Sequence, residues 1–242
     1  MYASVRNLEH VYYEPDEAIP RMCLRMFSRY LSTPPVSILD VGCGTGRDLD
    51  VLSHICPDCW GVDHLSEMIG SAKVQRPHLN LRVGDMRSVR FRRTFDVIMC
   101  IGSGLMYARS NEDIAKVLDT FAAHAHNRTL LILDVLNAAS FLSEAKSRGK
   151  NRTEISSSRF YATTAPIHSF DIRRRLLVRQ RTWNIPGQLP VEDSCRYRSF
   201  FPDELKRLLA ENGFHVVGMF DNMELRDTDL TDLKLYVGAI MS

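Results

Sequence analysis

The chain has 242 residues, 45% of them hydrophobic and 25% charged, with a formal net charge of +2. That length holds one large α/β domain, or one domain with an insertion. So small a charge argues against a nucleic-acid partner or a membrane surface, and no apolar run reaches the length of a membrane span.

The opening residues 1–10 carry no apolar signal core, so a cytoplasmic protein with reduced thiols is expected. Residues 1–35 read as a helical cap. Ile19, Met22, Cys23, Met26, Phe27 and Tyr30 recur at helical spacing beside a basic surface of Arg21, Arg25 and Arg29. Pro34 and Pro35 stop that helix. Ahead of it, Tyr12 and Tyr13 either pack or face a ligand.

Next comes Ile38-Leu39-Asp40-Val41-Gly42-Cys43-Gly44-Thr45-Gly46. Its aliphatic residues predict a short buried strand. The glycines allow a tight turn and a close backbone approach to a ligand. Leu49, Val51, Leu52 and Ile55 then predict a helix. Strand, glycine turn and helix together make a nucleotide site. A dinucleotide site would read G-x-G-x-x-G and hold a pyrophosphate. Here Asp40 stands two residues before the first glycine, where it would repel a phosphate but could face an ammonium or sulfonium centre. A βα turn without a ligand, or an NAD site, are the alternatives.

Cys56-Pro57-Asp58-Cys59 has no second cysteine pair or paired histidines, so it reads as a turn and no metal is expected. Trp60 and Val62 make a strand that Asp63 ends, about twenty residues past the glycines. An acid there accepts the ribose hydroxyls of an adenosine; the plainer reading is a cap for the helix that follows. Leu79, Leu81 and Val83 alternate as a strand, followed by Gly84-Asp85-Met86. Residues 95–101 form an apolar strand, and Gly102-Ser103-Gly104-Leu105-Met106-Tyr107 lies at its carboxyl edge, where open α/β sheets place ligands. Ser103 and Tyr107 are the polar candidates there.

A helix over 111–125 precedes a fifth strand over 129–135. Residues 140–200 break the alternation. Residues 151–158 read as loose, whereas 159–164, 172–183 and 192–201 read as antiparallel strands forming a lid or a dimer surface. On such a strand Arg173, Arg175, Arg179 and Arg181 share one face. A solvated face is preferred to a phosphate or nucleic-acid surface. A helix over 202–213, opened by a proline and closed by Asn212-Gly213, and strands over 214–220 and 235–241 end the chain.

The ordered signals at successive strand ends resemble class I S-adenosylmethionine-dependent methyltransferases. More narrowly, the chain resembles small-molecule, aminosugar-type N-methyltransferases of antibiotic biosynthesis. That likeness rests on the N-terminal tyrosines, Gly84-Asp85-Met86-Arg87, Phe121-Ala122-Ala123-His124, the inserted strands and Leu235-Tyr236-Val237-Gly238. The resemblance implies an α/β, Rossmann-like, doubly wound seven-stranded sheet with an inserted small antiparallel sheet. Residues 1–35 would be the cap, 36–139 and 201–242 the binding core, and 140–200 the insertion. The implied cofactor is S-adenosylmethionine, without metal. Asp40, Gly42, Cys43 and Gly44 would hold its methionine end and Asp63 its ribose. Met68, Asp85 and Met86 would hold its adenine, with His64, Cys100, Ile101 and Tyr13 completing the site. Tyr13 (with Tyr12 as the other register) and His124 would stand beside the acceptor as catalytic residues. The expected partner is a small-molecule methyl acceptor, most naturally an amine, and the expected assembly a homodimer. An O-methyltransferase and a non-catalytic cofactor-binding regulator are the alternatives.

Overall fold

The computed structural model describes residues 17–141, 153–157, 160–164, 167–171, 173–184, 187 and 189–242. Helix α1 (Ala18–Tyr30) buries Met22, Cys23, Met26 and Phe27, the i, i+1, i+4, i+5 stripe of an amphipathic helix. Strands β1 (Ser37–Val41), β2 (Asp58–Asp63), β3 (Asn80–Val83), β4 (Phe95–Cys100) and β5 (Ala125–Leu136) alternate with helices α2 (Arg47–Leu52), α3 (Ser66–Gln75) and α4 (Asn111–Ala123). After a second group of strands come α5 (Pro202–Ala210), β11 (Phe214–Phe220) and β12 (Lys234–Met241).

Seven strands form one sheet in the order β11-β12-β5-β4-β1-β2-β3. The five from β5 to β3 are parallel, and β12 runs antiparallel to both β5 and β11. Strand β5 explains why a continuous apolar run was needed. Leu130 and Ile132 face a cluster with Met22, Met26 and Ile38, while Leu131, Leu133 and Val135 face one with Phe121, Leu205 and Leu209. A central strand covered on both faces has no side left for water. The carboxyl ends of β1 to β4 all open on the same edge. Among the described residues no helix is long and apolar enough to cross a membrane.

The second sheet is antiparallel: β6 (Thr153–Ser157), β7 (Phe160–Thr164), β8 (Ile167–Asp171), β9 (Leu176–Asn184) and β10 (Val191–Arg198). Strand β9 carries β10 along one edge and shares the other between β7 and β8. Two sequence expectations are corrected here. Residues 153–157, expected to be loose, pair with β7 as a strand. Residues 172–183 are not one strand: residues 173–175 turn the chain between β8 and β9, with Arg175 at φ 55°. Arg173 and Arg175 therefore leave the strand face, and of the four only Arg179 and Arg181 stay on β9. The Arg175 guanidinium bonds Glu204, and Arg179 lies over the Tyr197 ring and reaches Asp193.

Candidate active site

A cavity of about 720 Å³ lies over the carboxyl ends of β1 to β4, within the size range of small-molecule sites. Its floor is the glycine turn. Gly42, Gly44 and Gly46 have φ of 91°, 56° and 72°, values that L side chains rarely adopt. The N–H groups of Gly42 and Cys43 donate to the Val62 carbonyl at 2.7 and 3.0 Å. Gly44 N–H donates to Asp63 Oδ2 at 3.0 Å, and Leu65 N–H to Asp63 Oδ1 at 2.9 Å. Asp63 thus ties the turn to the end of β2, yet each of its oxygens keeps a lone pair for a further donor.

Asp40 and Arg47 stand in the same cavity. Asp40 is 5% exposed, and its Oδ1 has no hydrogen-bond partner among the described residues; neither has the buried Arg47 Nε. Burial, and then the charges of Asp48 and Asp63, push the Asp40 carboxyl well above the usual carboxylate range. A buried acid in that condition is costly unless something cationic meets it. At the strand-end side of the cavity the acids Asp40, Asp48, Asp63 and Asp85 outnumber the neighbouring Arg47 and Arg87, which makes that side the wrong lining for a pyrophosphate.

Past β3, Asp85 accepts two bonds from Arg87 Nε, at 3.0 and 3.1 Å, and one from its Nη2 at 2.6 Å. Arg87 also reaches Asp113 at 3.0 Å. The guanidinium holds the Asp85 carboxyl below its ordinary value. Met68, Met86 and Ile101 supply apolar wall nearby. On the far side the cavity is lined by Gly102, Gly104, Tyr107 and Arg109 from the segment after β4, and by Ser194, Cys195 and Arg196 from β10. The Tyr107 ring meets Tyr197 edge-on, with centroids 5.3 Å apart, so the two sheets touch at the cavity wall.

The structure brings together Asp40, Gly42, Cys43, Gly44, Asp63, His64, Met68, Asp85, Met86 and Ile101 around one cavity. Three expectations do not hold there. Cys100 is fully buried beneath Gly104 and does not line the cavity. Ser103 turns away from it, toward Asp134. His124 is fully buried, with Nδ1–H donating to Thr120 O at 2.7 Å and Nε2 accepting from Phe91 N–H at 2.9 Å. Burial also lowers its pKa. With both nitrogens committed to backbone inside a Phe91 and Phe95 shell, it is a structural histidine. Tyr12 and Tyr13 lie outside the described residues. Sequence reasoning missed Arg47, Arg87, Arg109, Ser194 and Arg196 as cavity residues. Arg47 directly follows the glycine motif and could have been found; the β10 residues carry no local signal.

A methyltransferase-domain family model matches residues 38–128. The chain is 29% identical over 98 residues to the dTDP-3-amino-3,4,6-trideoxy-alpha-D-glucopyranose N,N-dimethyltransferase of Streptomyces venezuelae, a match spanning 40% of this chain and 41% of that relative's length. Its fold is similar to that of an S-adenosylmethionine-dependent methyltransferase from Clostridium acetobutylicum, with TM-score 0.78, 14% identity and coverage of 99% and 97%. It is also similar to CalS10, an amino pentose methyltransferase from Micromonospora echinaspora solved with S-adenosylmethionine bound: TM-score 0.73, 17% identity, coverage 99% and 96%.

Proposed function

The chain carries a class I methyltransferase domain, and from that premise we propose that it moves a methyl group from S-adenosylmethionine to an amine on a small polar acceptor. The observation that carries the proposal is that Asp40 Oδ1 and Arg47 Nε stand in one cavity without a hydrogen-bond partner among the described residues, Arg47 Nε lying 3.9 Å from Asp48 Oδ1. An amino-acid zwitterion beside a cationic sulfur would satisfy both. Asp40 and Arg47 would hold that end, Asp63 the ribose hydroxyls, and Asp85 with Met68, Met86 and Ile101 the base. When bound, the cofactor supplies an electrophilic methyl group.

The chain's own work is then positioning, which in well-oriented reactions supplies about 7–11 kcal/mol of the barrier. The small residues Gly102 and Gly104 leave room where acceptor and methyl meet. Arg109 and Arg196 give the acceptor side a positive lining, suited to a sugar carried on a phosphate, and the dTDP-aminosugar named for the Streptomyces venezuelae relative has that chemistry. An amine must only be neutral to react, so no buried base is required. In the same reading, residues 36–139 and 201–242 bind the cofactor, helix α1 caps it, and the second sheet covers the acceptor. A cytoplasmic setting is supported by six free cysteines. A homodimer belongs to the proposal through resemblance, and a nucleic-acid substrate does not, because Arg175 and Arg179 are paired with Glu204 and Asp193.

Calorimetry with S-adenosylhomocysteine, then product release with dTDP-linked aminosugars, tests this. Binding followed by turnover is expected, and Asp63→Ala should weaken binding by about 1–3 kcal/mol. Binding of NAD in its place would overturn the enzyme class. Binding with no turnover on any amine would favour a regulator.

A further inference from the structure

Strand β5 is apolar from Leu130 to Val135 except for one residue, and that residue, Asp134, is fully buried. A buried acid in such a strand gains nothing for the fold that an aliphatic side chain would not give. Its bonds point to one place. Oδ1 accepts from Ser103 N–H at 2.7 Å, and Oδ2 accepts from Ser103 Oγ–H at 3.2 Å and from Lys234 Nζ at 2.8 Å. Lys234 opens β12, two residues from Tyr236, the register partner of Asp134, so the neighbouring strand supplies the balancing charge.

Ser103 holds φ 64°, a left-handed value that is strained for a residue with a side chain. Its neighbour Gly102, at φ 71°, shares that hand. From Ser103 the chain enters a short turn, where Met106 N–H donates to Ser103 O at 3.1 Å, and this turn carries Tyr107 into the cavity. Gly104 lies across from the glycine turn: a Cβ on Gly42 would stand 4.0 Å from Gly104 Cα. One on Gly104 would stand 2.8 Å from Cys100 Sγ. The segment is therefore tightly backed on the Cys100 side and in ordinary range of the glycine turn on the other.

We propose that Asp134 is a positioning residue: by holding Ser103 in its left-handed conformation it sets the Gly102–Gly104 wall and Tyr107 at the place where acceptor and methyl group meet. The proposal rests on the methyltransferase reading above. Asp134 itself touches neither ligand; it acts through Ser103.

The test compares wild type, Asp134→Asn, Ser103→Gly and the double variant. Misplacement of this wall should lower kcat of Asp134→Asn by roughly 10²-fold, while S-adenosylhomocysteine Kd stays within about twofold. Ser103→Gly removes the strain that the carboxylate restrains, so in that background Asp134→Asn should cost much less. A general loss of folding would not be relieved in that way. Amide exchange at Ser103 is read in parallel and should speed up in Asp134→Asn. Unchanged exchange, an unchanged kcat, or equal losses in both backgrounds would each overturn the proposal. If wild type neither binds the cofactor product nor turns over, the function proposed above fails, and the exchange comparison still decides whether Asp134 fixes this segment.

Discussion

Asp40 shows how one side chain can oppose stability and yet, in the proposed function, serve the ligand. In the ligand-free fold its carboxyl titrates well above the ordinary range, through burial first and then Asp48 and Asp63. A raised acid pKa means that the folded state holds a proton which the unfolded chain releases. Its contribution to stability is present below the unfolded value and is lost as pH rises through the folded value. A bound cation reverses the preference, so binding must expel that proton and affinity should rise with pH until Asp40 is ionised. Calorimetry of S-adenosylmethionine across that range, in buffers of different ionisation enthalpy, should show proton release. Asp40→Asn should melt at a higher temperature than wild type above neutral pH while binding at least about tenfold more weakly, one pKa unit of interaction. A variant that bound normally would remove Asp40 from the site.

At the scale of elements, β2 and the glycine turn are coupled through a residue with no side chain. An ideal Cβ on Gly61 would lie 2.6 Å from Leu81 Cδ2 and 2.8 Å from Cys43 Sγ. Gly61→Ala should push Cys43 toward the cavity and cost about 1–3 kcal/mol, read as a lower urea midpoint and a weaker cofactor Kd. Cys43→Ala in that background should recover part of the binding; no recovery would mean that Leu81, not the turn, takes the strain. The parallel core was legible because strands covered on both faces are apolar runs, and acids at their ends break the run visibly. Helix α5 was legible from its opening proline and the glycine beyond its end. The second sheet was not. The turn at 173–175 has no glycine or proline to mark it, and Arg175 takes a positive φ instead. His124 was misread for another reason. Helical spacing brings it near the Thr120 carbonyl, but only the fold delivers Phe91 N–H to its other nitrogen. Nor could the sequence distinguish Asp134 from a strand-end acid, since the bonds it accepts come from residues 31 and 100 positions away.

Among the described residues two sheets share one cavity, and a charge cluster centred on the buried Glu204 joins them. Glu204, on α5 beside the seven-stranded sheet, accepts from Arg198 at the end of β10 at 2.5 Å and from Arg175 in the β8–β9 turn. The Glu204 and Arg198 side chains are 9% and 5% exposed, so neither can turn to water instead. Removing the acid alone strands the buried Arg198 guanidinium, while Arg175, 41% exposed, can turn to water; breaking a buried pair in this way costs about 3–5 kcal/mol. Glu204→Ala should therefore lower the urea midpoint strongly. The loss should also have a direction. In the proposed reading, strand β10 places Ser194, Cys195 and Arg196 on the acceptor side of the cavity, and β1 to β3 with the glycine turn build the cofactor side. Loosening the second sheet should raise the acceptor KM and leave S-adenosylhomocysteine Kd nearly unchanged in the folded fraction. Replacing both partners, Glu204→Met with Arg198→Met, should restore much of the stability, because a packed apolar pair needs no balancing charge. Equal weakening of both ligands by Glu204→Ala would mean that the cluster holds up the entire cavity, and that the second sheet is no separate acceptor wall.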